Sequence, residues 1–264
     1  MTRKKPTVSD LRVLKGRGQL TMLFVRTLDG AAAAEEAGIE IVSAPPDQVS
    51  HPDYRGVAPS LFTMTGMDHR SAGTRDDYLR FASKMLKSGA DAIYSSGSVA
   101  TIRFLADEHI PVVGHVGLVP SRHTFTGGFR AVGKTAAGAQ AMLDEVRAYE
   151  AAGAFAVEIE VVPVEVAKAI SQRVGILLWS MGPGAGCDAQ YLFSEDILGE
   201  NRGHMPRHAK VYRNFAAEHD RLQRERVAAY AEFIADVASG ALPQDRHVVK
   251  MDAAELAVFL KELT

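Results

Sequence analysis

The chain has 264 residues, a hydrophobic fraction of 47% and a formal net charge of -2, a composition that suits one globular domain with a large core. This near-neutral charge gives no general attraction to nucleic acid or to an anionic membrane surface. The single cysteine, Cys187, excludes an internal disulfide and suits a reducing cytoplasm. The basic amino-terminal stretch lacks the apolar core of a secretory signal, and no apolar run approaches the ~20 residues that span a bilayer.

Short apolar runs alternate along the chain with alanine-rich segments of helical character. We expect strands at residues 21–25, 39–44, 60–65, 92–96, 112–117, 156–161 and 175–181, with a weaker eighth strand at 196–199. The runs are apolar throughout rather than alternating, as in parallel strands that helices cover. Helices are expected at residues 29–37, 74–88, 99–108, 135–152 and 163–172.

Three of these helices stop at a glycine that leads directly into a strand, namely Gly38, Gly89 and Gly153. Glycine is favoured there because it adopts the left-handed conformation at no steric cost. A repeated helix–glycine–strand unit is typical of α/β proteins. Together with a length near the ~250 residues that are usual for this architecture, it predicts an α/β fold of the (β/α)8 barrel type.

The pattern changes after residue 203. Residues 208–240 are predicted to form one long charged helix, and residues 248–264 a short amphipathic helix. We expect residues 208–264 to be a helical extension of a single barrel domain that spans residues 1–264. The long helix either packs on the flank of the barrel or forms a subunit contact.

Two of the predicted strands end in residues that can do chemistry, His115 and Glu160. In parallel barrels the catalytic groups lie at the carboxyl ends of the strands. Desolvation there would raise the pKa of Glu160 toward the range of a general base. Alternatively, Glu160 faces the positive end of the next helix, which would lower its pKa. His115 either donates a hydrogen bond to an oxyanion or is an ordinary polar residue at a strand end.

Glu158 lies two residues before Glu160 and therefore on the same side of the strand. If that side is the lumen, two carboxylates share one confined site and need a proton, a cation or strong donors. If it is not, both carboxylates face the surrounding helices and solvent.

Five stretches of the sequence resemble the ketopantoate hydroxymethyltransferase family, also called 3-methyl-2-oxobutanoate hydroxymethyltransferase. They are GHVGLVPS (114–121), TGGFRAVGK (126–134), YEAAGAFAVEIEVVPVEVAKAIS (149–171), GPGAGCDAQ (182–190) and GHMPRHAKVY (203–212). The resemblance implies a (β/α)8 barrel related to the phosphoenolpyruvate/isocitrate lyase superfamily. It also implies a cytoplasmic enzyme of pantothenate biosynthesis and, because the family assembles as rings, a homo-oligomer.

The reaction that the resemblance implies moves a hydroxymethyl group from 5,10-methylenetetrahydrofolate to a small 2-oxo acid, 3-methyl-2-oxobutanoate. In the family, Mg2+ polarises the carbonyl of the acid, a glutamate removes a proton from C3, and the enolate attacks the one-carbon unit. Glu160 matches this glutamate, and His115 matches a histidine that lines the substrate pocket.

The amino-terminal third departs from the family at its metal ligands. The second-strand word VGDS becomes SAPPDQ (43–48), so Pro46 takes the ligand position and Asp47 is its neighbour. The third-strand aspartate falls at Gly66, with Asp68 and His69 just beyond it. In the fourth strand the Lys and Glu of KIEGG become Tyr94 and Ser96.

These departures leave the metal and the activity open. Candidate replacement ligands are Asp47, Asp68, His69 and Glu158, and the expected substrate-binding residues are Asp47, Gly66, Tyr94, Ser96 and Glu158. Without carboxylates, Mg2+ has few anionic oxygens to replace its water shell. Three functions remain possible: a hydroxymethyltransferase-like enzyme with a rebuilt site, a carbon–carbon lyase or hydrolase of the wider superfamily, and a non-catalytic barrel.

Overall fold

The computed structural model describes residues 3–67 and 71–263 and divides the chain into two compact units, Met1–Arg213 and Asn214–Thr264. The first unit contains β1 (Leu20–Phe24), β2 (Ile41–Ser43), β3 (Phe62–Gly66), β4 (Ala92–Tyr94), β5 (Val112–Gly117), β6 (Ala156–Glu160), β7 (Leu177–Met181) and β8 (Ala189–Phe193). Every strand is parallel to its neighbours in chain order, and β8 pairs with β1 to close the barrel. The predicted (β/α)8 barrel is confirmed.

Helices separate most of the successive strands of this unit. They are α1 (Val8–Val13), α2 (Leu28–Ala37), α3 (Pro46–Val49), α4 (Tyr54–Val57), α5 (Arg75–Ser88), α6 (Val99–Asp107), α7 (His123–Thr126), α8 (Ala136–Ala151), α9 (Val164–Ser171) and α10 (Ser194–Leu198). α2 and α5 end where the sequence predicts, at Gly38 and Gly89 with φ of 84° and 111°. A side chain would strain the backbone at these positive φ values.

The eighth strand was predicted in the wrong place. It lies at Ala189–Phe193, directly after the glycine-rich connection from β7, whereas residues 196–199 form the end of α10 and its glycine cap. The sequence AQYLF of β8 mixes polar and apolar residues, so its apolar signal is weaker than that of the other strands. Asp196 is buried in the helix and accepts a hydrogen bond from the Asn201 amide at 3.0 Å.

Alternate residues of the strands point into the barrel and form a buried cluster of their own. Phe155 packs edge-on against Phe62 and Trp179, with ring centroids 6.0 and 5.7 Å apart. Leu11 of α1 belongs to this inner cluster and is 1% exposed. The amino-terminal segment therefore covers the end of the barrel where the strands begin, and Lys15 fixes it there through a 2.7 Å ion pair with Asp188.

The second unit consists of helices and connecting turns among its described residues. Its main helices are α11 (Phe215–Ser239) and α12 (Ala253–Glu262). The long helix begins seven residues later than predicted, because the Asn214 side chain accepts from the Ala217 amide and caps it there. None of the helices in the described chain combines the length and the apolar character that crossing a membrane requires. The expected packing of this extension on the barrel stays a prediction.

Candidate active site

Strands β4, β5 and β6 carry four polar side chains into the lumen near the carboxyl end of the barrel. The register places His115 opposite Glu158 and Gly117 opposite Glu160. Tyr94 is the last residue of β4, the strand that pairs with β5. Glu158 and Glu160 alternate with Val157 and Ile159, which belong to the cluster between strands and helices. The two carboxylates therefore face inward, and the alternative that they face the helices is excluded.

His115 lies between these groups and contacts each of them. Its Nδ1 is 2.6 Å from the Tyr94 hydroxyl and 3.6 Å from Glu158 Oε2. Its Nε2 is 3.2 Å from Glu160 Oε2, a short distance whose angles do not form a hydrogen bond, so Nε2 is buried without a satisfied partner among the described residues. An imidazole nitrogen held beside a carboxylate in this way is available to a ligand that bridges or displaces the contact.

Burial sets the protonation of this group. It raises the pKa of Glu158 to about 7, and the charge of Glu160 adds to this effect while His115 opposes it. Burial, with the charge of Glu158 adding to it, also holds the pKa of Tyr94 well above 10. The Tyr94 phenol is therefore neutral at physiological pH and can donate its proton to Nδ1 of His115. That arrangement would leave the ring proton on Nε2, facing Glu160.

The backbone beside Glu160 is strained. Val161 has a φ of 49°, an unusual value for a β-branched residue. Its amide donates to the Met181 carbonyl at 2.9 Å, and its own carbonyl accepts from the Val132 amide at 3.2 Å. Gly117 approaches so closely that an added Cβ would lie 2.3 Å from the Glu160 carbonyl oxygen. Backbone conformations of this unusual kind cluster at active sites, and this one directly follows Glu160.

The four side chains open into one cavity of about 700 Å³. Its walls also include the ends of four other strands and the residues that follow them: Ser43 to Pro46 at β2, Gly66 and Met67 at β3, Phe24 and Arg26 at β1, and Tyr191 and Phe193 at β8. Pockets of this size hold drug-sized ligands. The cavity is therefore larger than a five-carbon acid needs by itself.

Gly66 contributes to the site by lacking a side chain. A Cβ at this position would lie 2.5 Å from Cδ1 of Tyr94, in the space that the aromatic ring occupies. The two residues are register partners on β3 and β4. The absence of a side chain at Gly66 therefore leaves the space in which the ring of Tyr94 packs.

The other predicted site residues are less central. Ser96 does not line the cavity but stands behind it, where its side chain hydrogen-bonds Tyr94 and its carbonyl accepts from Arg122 at 2.9 Å. Asp47 is exposed in the first turn of the short helix α3 and is not part of the cavity wall, so the structure does not bring it to the site. Asp68 and His69 lie outside the described residues.

The described lining residues do not fit the Mg2+ that the resemblance implies. Among the described residues, no three His, Cys, Asp or Glu side chains are grouped to hold a metal ion. The walls after β2 and β3 present prolines, a serine and Gly66 instead of carboxylates. Magnesium binds through oxygen ligands, chiefly carboxylates, in near-ideal octahedral geometry. The described lining offers two carboxylates, both beside His115, and none on the walls formed by the ends of β2 and β3.

Three residues near this site were not among the predicted site residues. Arg26 follows β1, lines the cavity and is held at 3.1 Å by Glu195 and over the ring of Phe24 at 4.6 Å. Tyr191 lies close enough to Glu158 for its charge to raise the pKa of the phenol further, after burial. His208 does not begin the long helix but lies near Glu160, whose charge opposes the lowering of the His208 pKa by burial. The inward register of β8 was the signal available for Tyr191.

A closed parallel barrel with a buried glutamate–imidazole group at the carboxyl ends of its strands is the architecture of a (β/α)8-barrel enzyme. The family model of ketopantoate hydroxymethyltransferase matches residues 54–245. The chain belongs to this family.

Relatives that carry the name 3-methyl-2-oxobutanoate hydroxymethyltransferase match most of the chain. The protein of Chloroflexus aurantiacus is 32% identical over 96% of both chains. The one from Methylibium petroleiphilum is 31% identical over 98% of this chain and 94% of its own. The one from Cenarchaeum symbiosum is 36% identical over 68% of this chain and 67% of its own.

Solved structures share the fold at lower identity. A putative phosphonomutase from Burkholderia cenocepacia has a TM-score of 0.54 at 14% identity, over 70% of this chain and 92% of its own. A 2,3-dimethylmalate lyase of the phosphoenolpyruvate mutase/isocitrate lyase superfamily has a TM-score of 0.50 at 14% identity, over 97% and 99%. Both show the barrel architecture and nothing about the reaction.

Proposed function

We propose that this protein is a hydroxymethyltransferase that transfers a one-carbon unit to a small 2-oxo acid, as the names of its relatives state for them. The observation that supports this most directly is the Glu160 carboxylate, which lies 3.2 Å from the buried imidazole of His115 in a single large cavity. The family position of the base is thus occupied by a carboxylate that is in the lumen and next to a proton carrier.

Glu160 has the surroundings that a general base needs. Its side chain is 13% exposed, so it reaches the cavity while bulk water is largely excluded. The residue that follows it, Val161, has a φ of 49°, the kind of unusual backbone conformation that clusters at active sites. A positioned base of this kind contributes about 10²- to 10⁴-fold to the rate. Its role is to accept the proton from C3 of the acid, which leaves an enolate to attack the one-carbon unit.

Arg26 is the residue best placed to hold the carboxylate of the acid. Among the described lining residues it is the one lysine or arginine. Its Nε donates to Glu195 at 3.1 Å, which leaves the Nη groups as the donors to offer a ligand. Two parallel N–H donors recognise a carboxylate bidentately. We assign to Arg26 the role that the family gives to the strand-four lysine, which is Tyr94 here.

The size of the cavity supports a second, larger substrate. With about 700 Å³ available, the acid can lie against Glu160 and His115 while a folate-sized donor occupies the apolar part near Phe24, Phe81 and Phe193. We propose 5,10-methylenetetrahydrofolate as this donor, cytoplasm as the compartment and a homo-oligomer as the assembly.

The test is to incubate the purified protein with 3-methyl-2-oxobutanoate and 5,10-methylenetetrahydrofolate and to follow the new hydroxymethyl group by proton NMR. We expect product with the native protein and none above background with Glu160→Gln. Shorter carboxylic acids released from candidate 2-hydroxy or branched acids would instead indicate a carbon–carbon lyase. No turnover of either kind, together with no binding of the 2-oxo acid in a calorimeter, would leave a non-catalytic barrel.

A further inference from the structure

The lumen contains two carboxylates but few positively charged side chains to balance them. Glu158 and Glu160 both lie within 3.6 Å of His115, and all three side chains are buried or nearly so. The one lysine or arginine of the described lining, Arg26, is already paired with Glu195. Two ionised carboxylates in such a place are expensive unless a proton or a cation accompanies them. Among the described residues no group of side chains is suited to a metal ion, so the compensation that these residues can supply themselves is a proton.

Glu158 is the better holder of that proton. Its side chain is 6% exposed, against 13% for Glu160, so it is the more desolvated of the two. The groups that face it are Tyr94 from β4, His115 from β5, Glu160 from its own strand and Tyr191 from β8. Both phenols are neutral, so neither stabilises an anion by charge. Burial raises the pKa of Glu158 to about 7.

A protonated carboxyl group in the lumen can act as a general acid. It can donate a strong hydrogen bond to the oxygen on which negative charge develops, which is the task that a metal ion performs in related chemistry. A carboxylic acid kept neutral by an apolar site and used as an oxyanion donor is an established device in enzymes. Glu158 and His115 both line the cavity, so a carbonyl oxygen of the substrate can approach both side chains there.

We propose that Glu158 acts as a neutral acid that hydrogen-bonds the carbonyl oxygen of the 2-oxo acid, so that this chain forms the enol without a divalent metal ion. The proposal rests on the proposed function. In the step, the C3–H bond breaks and Glu160 takes the proton. The C–H electron pair becomes the C2–C3 double bond, and the carbonyl oxygen takes the proton of Glu158. The products are the neutral enol, protonated Glu160 and ionised Glu158, and the reverse step restores all three.

The experiment measures this half-reaction alone. The protein is stripped with EDTA, its metal content is checked by mass spectrometry, and exchange of the C3 hydrogen of 3-methyl-2-oxobutanoate is followed in D2O by proton NMR. The variants are Glu158→Met, which removes the donor, and Glu158→Gln, which keeps an N–H donor that does not titrate. Glu36→Gln, on an exposed face of α2, is the matched control.

We expect exchange that is unchanged by EDTA and not increased by added Mg2+ or Mn2+. Glu158→Met should slow exchange by about 10²- to 10³-fold, the usual effect of losing one oxyanion donor. Glu158→Gln should retain part of the rate, and the decline in rate that the native protein shows above about pH 7 should disappear. The pH profile separates a donor from a residue that merely supports the fold.

Exchange that appears only when a divalent ion is added would overturn the proposal while leaving the hydroxymethyltransferase function intact. The same conclusion follows if Glu158→Met exchanges as fast as Glu36→Gln. Absence of exchange in every metal condition, with a folded protein, would instead overturn the proposed function, and this proposal with it.

Discussion

The aromatic ring of Tyr94 occupies the space that any side chain at Gly66 would need, with 2.5 Å between the position of a Cβ at Gly66 and Cδ1 of the ring. These are two of the positions at which the chain departs from its family. The two residues are therefore coupled: the absence of a side chain at Gly66 on β3 makes room for the ring of Tyr94 on β4. The same tyrosine then binds Nδ1 of His115 at 2.6 Å.

The coupling predicts a non-additive pair of substitutions. Gly66→Ala should lower the free energy of unfolding by about 1–3 kcal/mol, because the methyl group displaces a packed ring. In a Tyr94→Ala background the same change should cost much less, since the ring is gone. Urea denaturation of the four proteins measures this. Equal costs in both backgrounds would show that the ring is not what the methyl group meets.

Loss of the Tyr94 hydroxyl should destabilise the protein by removing the hydrogen-bond partner of His115. In Tyr94→Phe, Nδ1 of the buried imidazole loses its hydrogen-bond partner, which costs about 1–3 kcal/mol of stability. Thermal and urea unfolding measure the change, with Tyr212→Phe as the control because that side chain is 57% exposed. A Tyr94→Phe protein as stable as its control would mean that Nδ1 finds a substitute partner.

Removal of the base should abolish proton abstraction without affecting the fold. Glu160→Gln is close in size to the native residue, so we expect little change in melting temperature. The rate of C3 hydrogen exchange should fall by about 10²- to 10⁴-fold. Calorimetry with 3-methyl-2-oxobutanoate should show that binding persists, and undiminished exchange would assign the base to another group.

Stability should depend on pH through Glu158. The ordinary pKa of a glutamate is 4.5, whereas burial raises the pKa of this carboxyl to about 7 in the folded protein. Between these values the folded state holds the proton and the unfolded state does not, so the free energy of unfolding falls as the pH rises. The contribution is complete below pH 4.5, is lost through about pH 7, and amounts to about 3 kcal/mol.

Glu158→Gln carries no titratable group and therefore lacks this pH dependence. Measured by urea denaturation at pH 5, 6, 7 and 8, the variant should gain stability relative to the native protein as the pH rises, by up to about 3 kcal/mol. A difference that stays constant across this range would show that Glu158 titrates normally.

Arg26 should determine the affinity for carboxylates. Arg26→Gln is expected to raise the KM for the 2-oxo acid by about 10- to 100-fold, the cost of one charge-assisted bidentate contact of roughly 1.5–3 kcal/mol. The ratio of activity on the acid to activity on its amide should fall by a similar factor, because the uncharged amide forms no ion pair with the Arg26 guanidinium. Arg103→Gln, on an exposed face of α6, is the control. An unchanged ratio would place the carboxylate elsewhere.

The architecture was predictable because its signals are local. Each of the stops at Gly38 and Gly89 joins a helix to a strand through backbone conformations that glycine favours, and a chain of such units closes into a barrel. β8 was misplaced because AQYLF mixes polar and apolar residues and follows a glycine-rich loop. The start of α11 was misplaced because the Asn214 cap is a side-chain contact that the apolar pattern does not show.

The site was predictable in part. The period of two along β6 predicts that Glu158 and Glu160 share one side of the strand, but it left open whether that side is the lumen, and their roles stay predictions. The closeness of Tyr94 to Gly66 depends on the register between two strands, which no single stretch of sequence specifies. Arg26 was overlooked since it stands in a loop without a recognisable motif, and only the closure of β8 on β1 brings that loop to the cavity.

Helix α1, which covers the far end of the barrel through Leu11, should affect the order in which substrates bind. With that end sealed, reactants and products share the entrance at the carboxyl ends of the strands. A small acid seated deep against Glu160 would be trapped beneath a bulky donor above it. The two substrates are therefore expected to enter in a compulsory order, acid before donor, and the spent donor to depart before the elongated acid.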